Sequence, residues 1–247
     1  CRDNKVPLDF FSWHCYATDP RQVADRCRAA RKMMDECGFA GVESILNEWN
    51  YVKGWVDDWV YSLEVERGRF NQKSAAFVAA AMIDCQSAPL DHLMYYDARP
   101  VGMNGLFDYT TLEPMKGYYP FYAWSRLVDC GTQVACTVSE GRGKKVDAAT
   151  GITFEKPASV QKGGFHAVAA KGADGSSALF VARYSDDNNV TDTATAYLRL
   201  PGLEDARRAR CHVTDAVRTY TEVPLVRADD GSYVVRLQPN SFALVEW

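Results

Sequence analysis

The sequence predicts an α/β segment followed by an all-β segment. Between Phe10 and Cys130, strand signals alternate three times with stretches of helical periodicity, the pattern of parallel strands with helices packed outside them. After Gly131 the helical pattern stops, and short alternating segments are separated by turn-forming stretches at 172–175, 186–189 and 229–231. Polar and aromatic residues gather at the ends of the first segment's strands, where the loops of a (β/α) barrel carry its functional groups. The expected architecture is a partial (β/α) barrel of TIM type over residues 1–130, formed by its last three βα units. An antiparallel β-sandwich follows over residues 131–247.

The first strand reads from Leu8 to Tyr16, rich in aromatics. Asp19-Pro20 then supplies an N-cap and a proline at the first helical position. Apolar residues at Val23, Cys27, Ala30, Met34 and Cys37 recur at helical spacing up to Gly38, a helix-ending glycine. Gly41 to Trp49 reads as the second strand, followed by a long connection to about Asn71. The alanine-rich stretch Gln72 to Gln86 predicts a helix buried on more than one side. His92 to Asp97 is expected as the third strand, 99–115 as a long loop and Tyr118 to Val128 as the third helix. The later segments at 178–184, 194–200, 210–214, 233–237 and 242–247 suggest a β-domain of roughly seven or eight short strands.

Composition is that of an ordinary globular chain, with 47% hydrophobic and 24% charged residues over 247 positions. Lys and Arg number 28 against 32 Asp and Glu, and neither sign forms a long block, so no nucleic-acid footprint is present. No apolar run approaches the roughly 20 residues of a membrane span. The eight cysteines form no CxxC pair and no cysteine–histidine spacing suited to zinc; neither a metal nor another cofactor is expected. The start at Cys1, without a methionine or a signal-peptide pattern, reads as trimmed or processed. Localisation is left open between a bacterial cytoplasmic and an exported soluble protein.

Three clusters stand at strand ends: His14 and Tyr16 on the first, Asn47, Glu48, Trp49 and Asn50 on the second, and Tyr95, Tyr96 and Asp97, with Arg99 just beyond, on the third. Carboxylates and amides suit hydroxyl groups, and aromatic faces suit the apolar side of a sugar ring, so a carbohydrate ligand is expected. Glu43 stands at an odd offset from Glu48, and strict alternation would turn it to the opposite face of the sheet. Tyr51, Trp55, Trp59 and Tyr61 are expected either to form a sugar-stacking wall or to be the apolar underside of a long loop. An Asp97–Arg99 pair reads as an ion pair or as a contact to a carboxylated or heavily hydroxylated sugar.

The run Asp9-Phe10-Phe11-Ser12-Trp13-His14-Cys15-Tyr16, followed about thirty residues later by Leu46-Asn47-Glu48-Trp49-Asn50, resembles strands six and seven of clan A glycoside hydrolases. It is closest to family 39, which includes β-xylosidases and α-L-iduronidases. Tyr118-Tyr119 and the closing Pro239–Glu246 are similar to that family's last barrel helix and terminal sandwich strand. The resemblance implies a retaining O-glycosidase with Glu48 as nucleophile, Tyr16 hydrogen-bonded to it and His14 lining the sugar subsite. A retaining enzyme also needs an acid/base carboxyl group roughly 5–5.5 Å away. In the family this group follows an asparagine on strand four, and no second Asn-Glu-Pro-like sequence occurs in this chain. Asn47-Glu48 can itself be read as that acid/base pair, but the His-x-Tyr strand before it and the single unit after it fit strand seven better.

Three strands cannot close a barrel, so the expected partner is a second copy of the chain or a complementing barrel segment that covers the open edge. Taken alone, the chain is expected to be weak or inactive as an enzyme. The alternative is a non-catalytic carbohydrate-binding remnant that oligomerises through that edge.

Overall fold

The computed structural model describes residues 1–53, 71–100, 105–139, 144–146, 153–155 and 163–247. Its first layer is a parallel sheet in the order β1-β2-β3, formed by β1 (Phe10–Ala17), β2 (Glu43–Tyr51) and the short β3 (His92–Leu93). Helix α1 (Pro20–Glu36) joins β1 to β2. The Asp19 side chain accepts from the Arg21 amide at its start, and Gly38, with φ of 84°, follows its end. Val23, Ala24, Cys27, Ala30 and Met34 form the buried stripe of this helix, as their spacing predicts. Arg31 fastens the turn after the helix, donating to the carbonyls of Phe39 and Val42.

Helix α2 (Gln72–Cys85) is capped by Asn71 and is buried at every position except Gln72 and Asp84. Its short alanine side chains let four neighbours approach it: α1, helix α3 (Tyr119–Cys130), β2 of the parallel sheet and the β-layer behind. That layer holds two antiparallel sheets and a separate ribbon of β5 (Lys144–Val146) with β6 (Thr153–Glu155). The larger sheet runs in the order β11-β10-β14-β8-β7-β4. It comprises β4 (Thr132–Val134), β7 (Gly163–Lys171), β8 (Ser177–Ser185), β10 (Arg210–Thr214), β11 (Thr221–Val223) and β14 (Ser241–Glu246). The smaller sheet, in the order β12-β13-β9, comprises β9 (Ala194–Leu198), β12 (Val226–Arg227) and β13 (Tyr233–Leu237).

The central strands β8 and β14 are apolar on both faces because both faces are covered. Leu179, Val181, Ala243 and Val245 meet Leu198, Tyr233, Val235 and Leu237 of the smaller sheet. Phe180, Ala182, Phe242 and Leu244 belong to the same cluster as Phe77, Val78, Trp49 and Leu127 on the helical side. Residues on both sides of the expected boundary at 130/131 therefore share one core. The β-layer carries more strands than the sequence suggests; those outside the segments named from it are the nine-residue β7 and several of two or three residues.

Polar anchors lock the two segments together. Lys73, almost fully buried, donates to the Asp186 carbonyl at 2.8 Å and to Asn188 Oδ1 at 2.9 Å, and pairs with the Asp186 carboxylate at 2.8 Å. That carboxylate also accepts from the Tyr51 hydroxyl at 2.8 Å. Lys116 Nζ donates to the carbonyls of Asp215, Ala216 and Arg218. This loop is shaped by fully buried Asp215, which accepts from the Val217 and Arg218 amides and from the Arg218 guanidinium. Burial pushes the Asp215 carboxyl up, but the Arg218 guanidinium and these amides outweigh it and hold the group below the usual carboxylate range. A depressed folded pKa gives stability that is present above the ordinary value of about 3.9 and is lost as pH falls through the folded value. Asp215→Asn should therefore lower stability at pH 7 by about 1–3 kcal/mol and flatten its decline below about pH 4, measured by urea titrations at both pH values.

Candidate functional site

The site is built around an irregularity in β2. Trp13 pairs with Leu46 and His14 pairs with Glu48, so Asn47 is an extra residue opposite that step. The other neighbour shows the same displacement. Leu46 pairs with Leu93 and bonds the Met94 amide, and Trp49 then accepts from the Tyr96 amide, so β2 advances three residues while the third strand advances two. An extra residue reverses the alternation beyond it. Ser44 and Leu46 face the helices before Asn47, the former accepting from Trp13 Nε1 at 3.2 Å, and Trp49 and Tyr51 face them after it. Glu48 is thereby turned to the open face beside His14 and Tyr16.

There the three side chains meet. The Tyr16 hydroxyl donates to Glu48 Oε1, and His14 Nδ1 lies 2.9 Å from Oε2. The carboxylate is 24% exposed and the imidazole 54% exposed, so the group opens to solvent at the C-terminal ends of the strands. Asn47 is exposed on the bulge itself. Asn50, one of the strand-end residues, ties the adjoining strand ends together. Its Nδ2 donates to the Tyr96 carbonyl at 2.8 Å and to the Tyr95 hydroxyl at 3.1 Å. Tyr96 is partly exposed at that end, and the peptide bond between Tyr96 and Asp97 is cis. Arg99 is fastened to Asp97, with Nε at 2.7 Å and Nη2 at 2.5 Å from Oδ2, and its guanidinium lies over the Tyr96 ring. The ion-pair alternative for Asp97 and Arg99 is thus the one formed.

Several expectations are corrected. Trp49 does not reach a ligand surface: it is fully buried, edge-on to Tyr95 at 5.5 Å and tilted against Phe77, because the extra residue turns it to the helices. Tyr51 is buried against Phe77 and joined to Asp186, not part of a stacking wall; Trp55, Trp59 and Tyr61 lie outside the described residues. Glu43 is not on the opposite face from Glu48. Its partner Phe10 and Glu48's partner His14 stand an even number apart on β1, so both acids share a face. Four strand steps still separate them by about 13 Å, far beyond a retaining pair's roughly 5–5.5 Å. The third strand pairs regularly only at His92–Leu93, since the extra residue in β2 interrupts the ladder.

His166, His212 and the cysteines take no part. Among the described residues no cluster of three or more His, Cys, Asp or Glu could hold a metal ion, and no helix is long and apolar enough to cross a membrane.

No protein-family model and no curated protein matches the sequence. Solved structures do share its fold. A glucosidase from Croceicoccus marinus superposes with a TM-score of 0.64 at 17% identity, over 99% of this chain and 55% of that one. For the thermostable family 51 α-L-arabinofuranosidase from Thermotoga petrophila the values are 0.61, 19%, 97% and 52%. For a monomeric β-xylosidase from Caulobacter crescentus they are 0.62, 12%, 99% and 57%. The chain shares the fold of these glycoside hydrolases. It spans about half their length.

The extra residue is a testable device. Deleting Asn47 would close the ladder, with Trp13–Leu46 followed directly by His14–Glu48, so Glu48 should keep the open face and Trp49 its buried place. The expected cost is about 0.5–3 kcal/mol, the usual range for a single change, with native tryptophan emission unchanged; a red shift would show that Trp49 had left the core. Urea titration and fluorescence spectra of the deletion variant check both.

Proposed function

We propose that the chain is the C-terminal part of a retaining O-glycosidase of clan A, closest to family 39, in which Glu48 is the nucleophile. The observation that carries this reading is the Glu48 carboxylate, turned onto the open face by the extra residue in β2. Each of its oxygens is held by one side chain of β1. One hydrogen bond per oxygen fixes orientation while leaving lone pairs for attack on an anomeric carbon. Tyr16 and His14 orient and stabilise the carboxylate, and the exposed Nε2 edge of His14 lines the subsite with Asn47 and Tyr96. Asp97 acts through Arg99, holding the guanidinium over Tyr96. The fold shared with a glucosidase, an arabinofuranosidase and a β-xylosidase supports a carbohydrate ligand.

The acid/base carboxyl group comes from a complementing barrel segment, corresponding to the part of the solved glycosidases that this chain does not span. Exposed apolar side chains on the open face, Phe10 and Met94, support such a cover. In this reading residues 1–130 form the partial barrel and residues 131–247 the β-sandwich that backs it.

The nucleophile's step can be isolated because a dinitrophenolate leaving group departs without protonation. Glu48 bonds to C1, the C1–O bond breaks, and the phenolate leaves with the electron pair. The expected result with a panel of 2,4-dinitrophenyl 2-deoxy-2-fluoro glycosides is one added glycosyl group, mapped to Glu48 by mass spectrometry and absent in Glu48→Gln. Tyr16→Phe should slow labelling about 10- to 100-fold, the kinetic equivalent of a charge-assisted hydrogen bond of about 1.5–3 kcal/mol. No label from any sugar of the panel, or a label on another residue, would leave the non-catalytic binding protein as the better reading.

A further inference from the structure

Away from Glu48, a cavity of about 930 Å³ opens between α1, the end of α2 and strands β4 and β7. Its size is within the range of small-molecule sites. On its wall stands a buried pair in which His166 Nδ1 lies 2.7 Å from Asp84 Oδ1. The His166 side chain is 3% exposed, and neither its Nε2 nor Asp84 Oδ2 has a hydrogen-bond partner among the described residues. Two unsatisfied polar atoms on adjoining side chains are expensive. Each keeps an uncompensated desolvation cost unless something completes it. With Nδ1–H directed at the carboxylate, Nε2 presents a lone pair and Asp84 Oδ2 presents others, so both atoms call for hydroxyl or amide donors.

The rest of the wall narrows the class of ligand. Arg21 and Arg28 are matched by Asp25 and Asp84, so the formal charges cancel and no net charge on a ligand is favoured. Arg28 is already paired with Asp25 at 2.9 Å. Gln86 Nε2 donates to Gln133 Oε1 at 3.0 Å, leaving amide donors and acceptors at the rim. Alternating donors and acceptors without net charge suit a neutral ligand bearing several hydroxyls.

We propose that this cavity is a second, non-catalytic site for a neutral sugar unit or short oligosaccharide, whose hydroxyls donate to His166 Nε2 and Asp84 Oδ2. Binding there is independent of the chemistry assigned to Glu48. It is tested on the whole chain with ¹⁵N-histidine labelling and titration with xylobiose, cellobiose and glycerol. The expected result is a saturable shift of the His166 Nε2 resonance with at least one disaccharide, unchanged in Glu48→Gln. Gln133→Trp, which fills the rim without touching the buried pair, should weaken it by about tenfold or more. His166→Phe should abolish binding seen by calorimetry while leaving the far-ultraviolet spectrum native. Overturning results are no shift with either disaccharide, an equal shift with glycerol at matched hydroxyl concentration, or binding that survives Gln133→Trp. Loss of the shift in Glu48→Gln would assign the binding to the first site and overturn the second.

Discussion

A strand can serve both faces of a sheet only by alternating, and β2 alternates until Asn47. Beyond that residue the sequence Glu48-Trp49-Asn50-Tyr51 is shifted by one position relative to Glu43-Ser44-Ile45-Leu46, against the strands on either side. The displacement answers two demands at once. The helical side of the sheet receives Leu46, Trp49 and Tyr51 in succession, large enough to fill the space above the small side chains of α2. The open side receives a carboxylate that would otherwise be buried against apolar groups, where its ionised form would be strongly disfavoured. Both facings depend on Asn47 being held outside the alternation.

The second constraint is α2. A helix buried on every side has no polar face to give to water, so its neighbours must be supplied on every side. Two of them are helices, one is the parallel sheet through β2 and one is the large antiparallel sheet. The β-layer is therefore a wall of the α/β layer's core rather than an appended module. The polar connections across the junction follow from this close fit. Lys73 sits at the first turn of α2 where solvent is excluded, and its charge is tolerable only because Asp186 and Asn188 reach it from the end of β8. The same Asp186 receives Tyr51 from the end of β2. The strand end that leads away from Glu48 is thus held in place by a loop of the β-layer.

Local chemistry makes much of this fold legible in the sequence. The cap at Asp19, the stripe from Val23 to Met34 and the glycine at 38 delimit α1 because each acts within a turn or two of chain. The near-complete burial of α2 follows from its composition alone. His14 and Tyr16, two apart on one strand, are placed on a shared face by the strand's period. Trp49, Glu43 and the short third strand escape sequence reasoning for one reason: periodicity assumes an uninterrupted ladder, and no residue type announces an inserted one. The two- and three-residue strands escape it because so short a segment carries no period. Lys73 and Asp186, and likewise Asp84 and His166, are joined only by the tertiary fold, across intervals where sequence spacing has no meaning.

In the proposed reading, Glu48 differs from a structural acid in the way its hydrogen bonds are distributed. Asp215 shows the structural case: it is fully buried, with two amides and a guanidinium converging on its two oxygens, and little of its accepting capacity is left unused. Glu48 takes one contact on each oxygen, both from β1, and remains partly open to solvent. A carboxylate satisfied for stability has no reason to keep an exposed lone pair. A carboxylate that must meet an electrophilic carbon needs a fixed plane, a partner for each oxygen to hold it there, and an unobstructed approach. The strand pairing gives the first two, and the open face of the sheet gives the third.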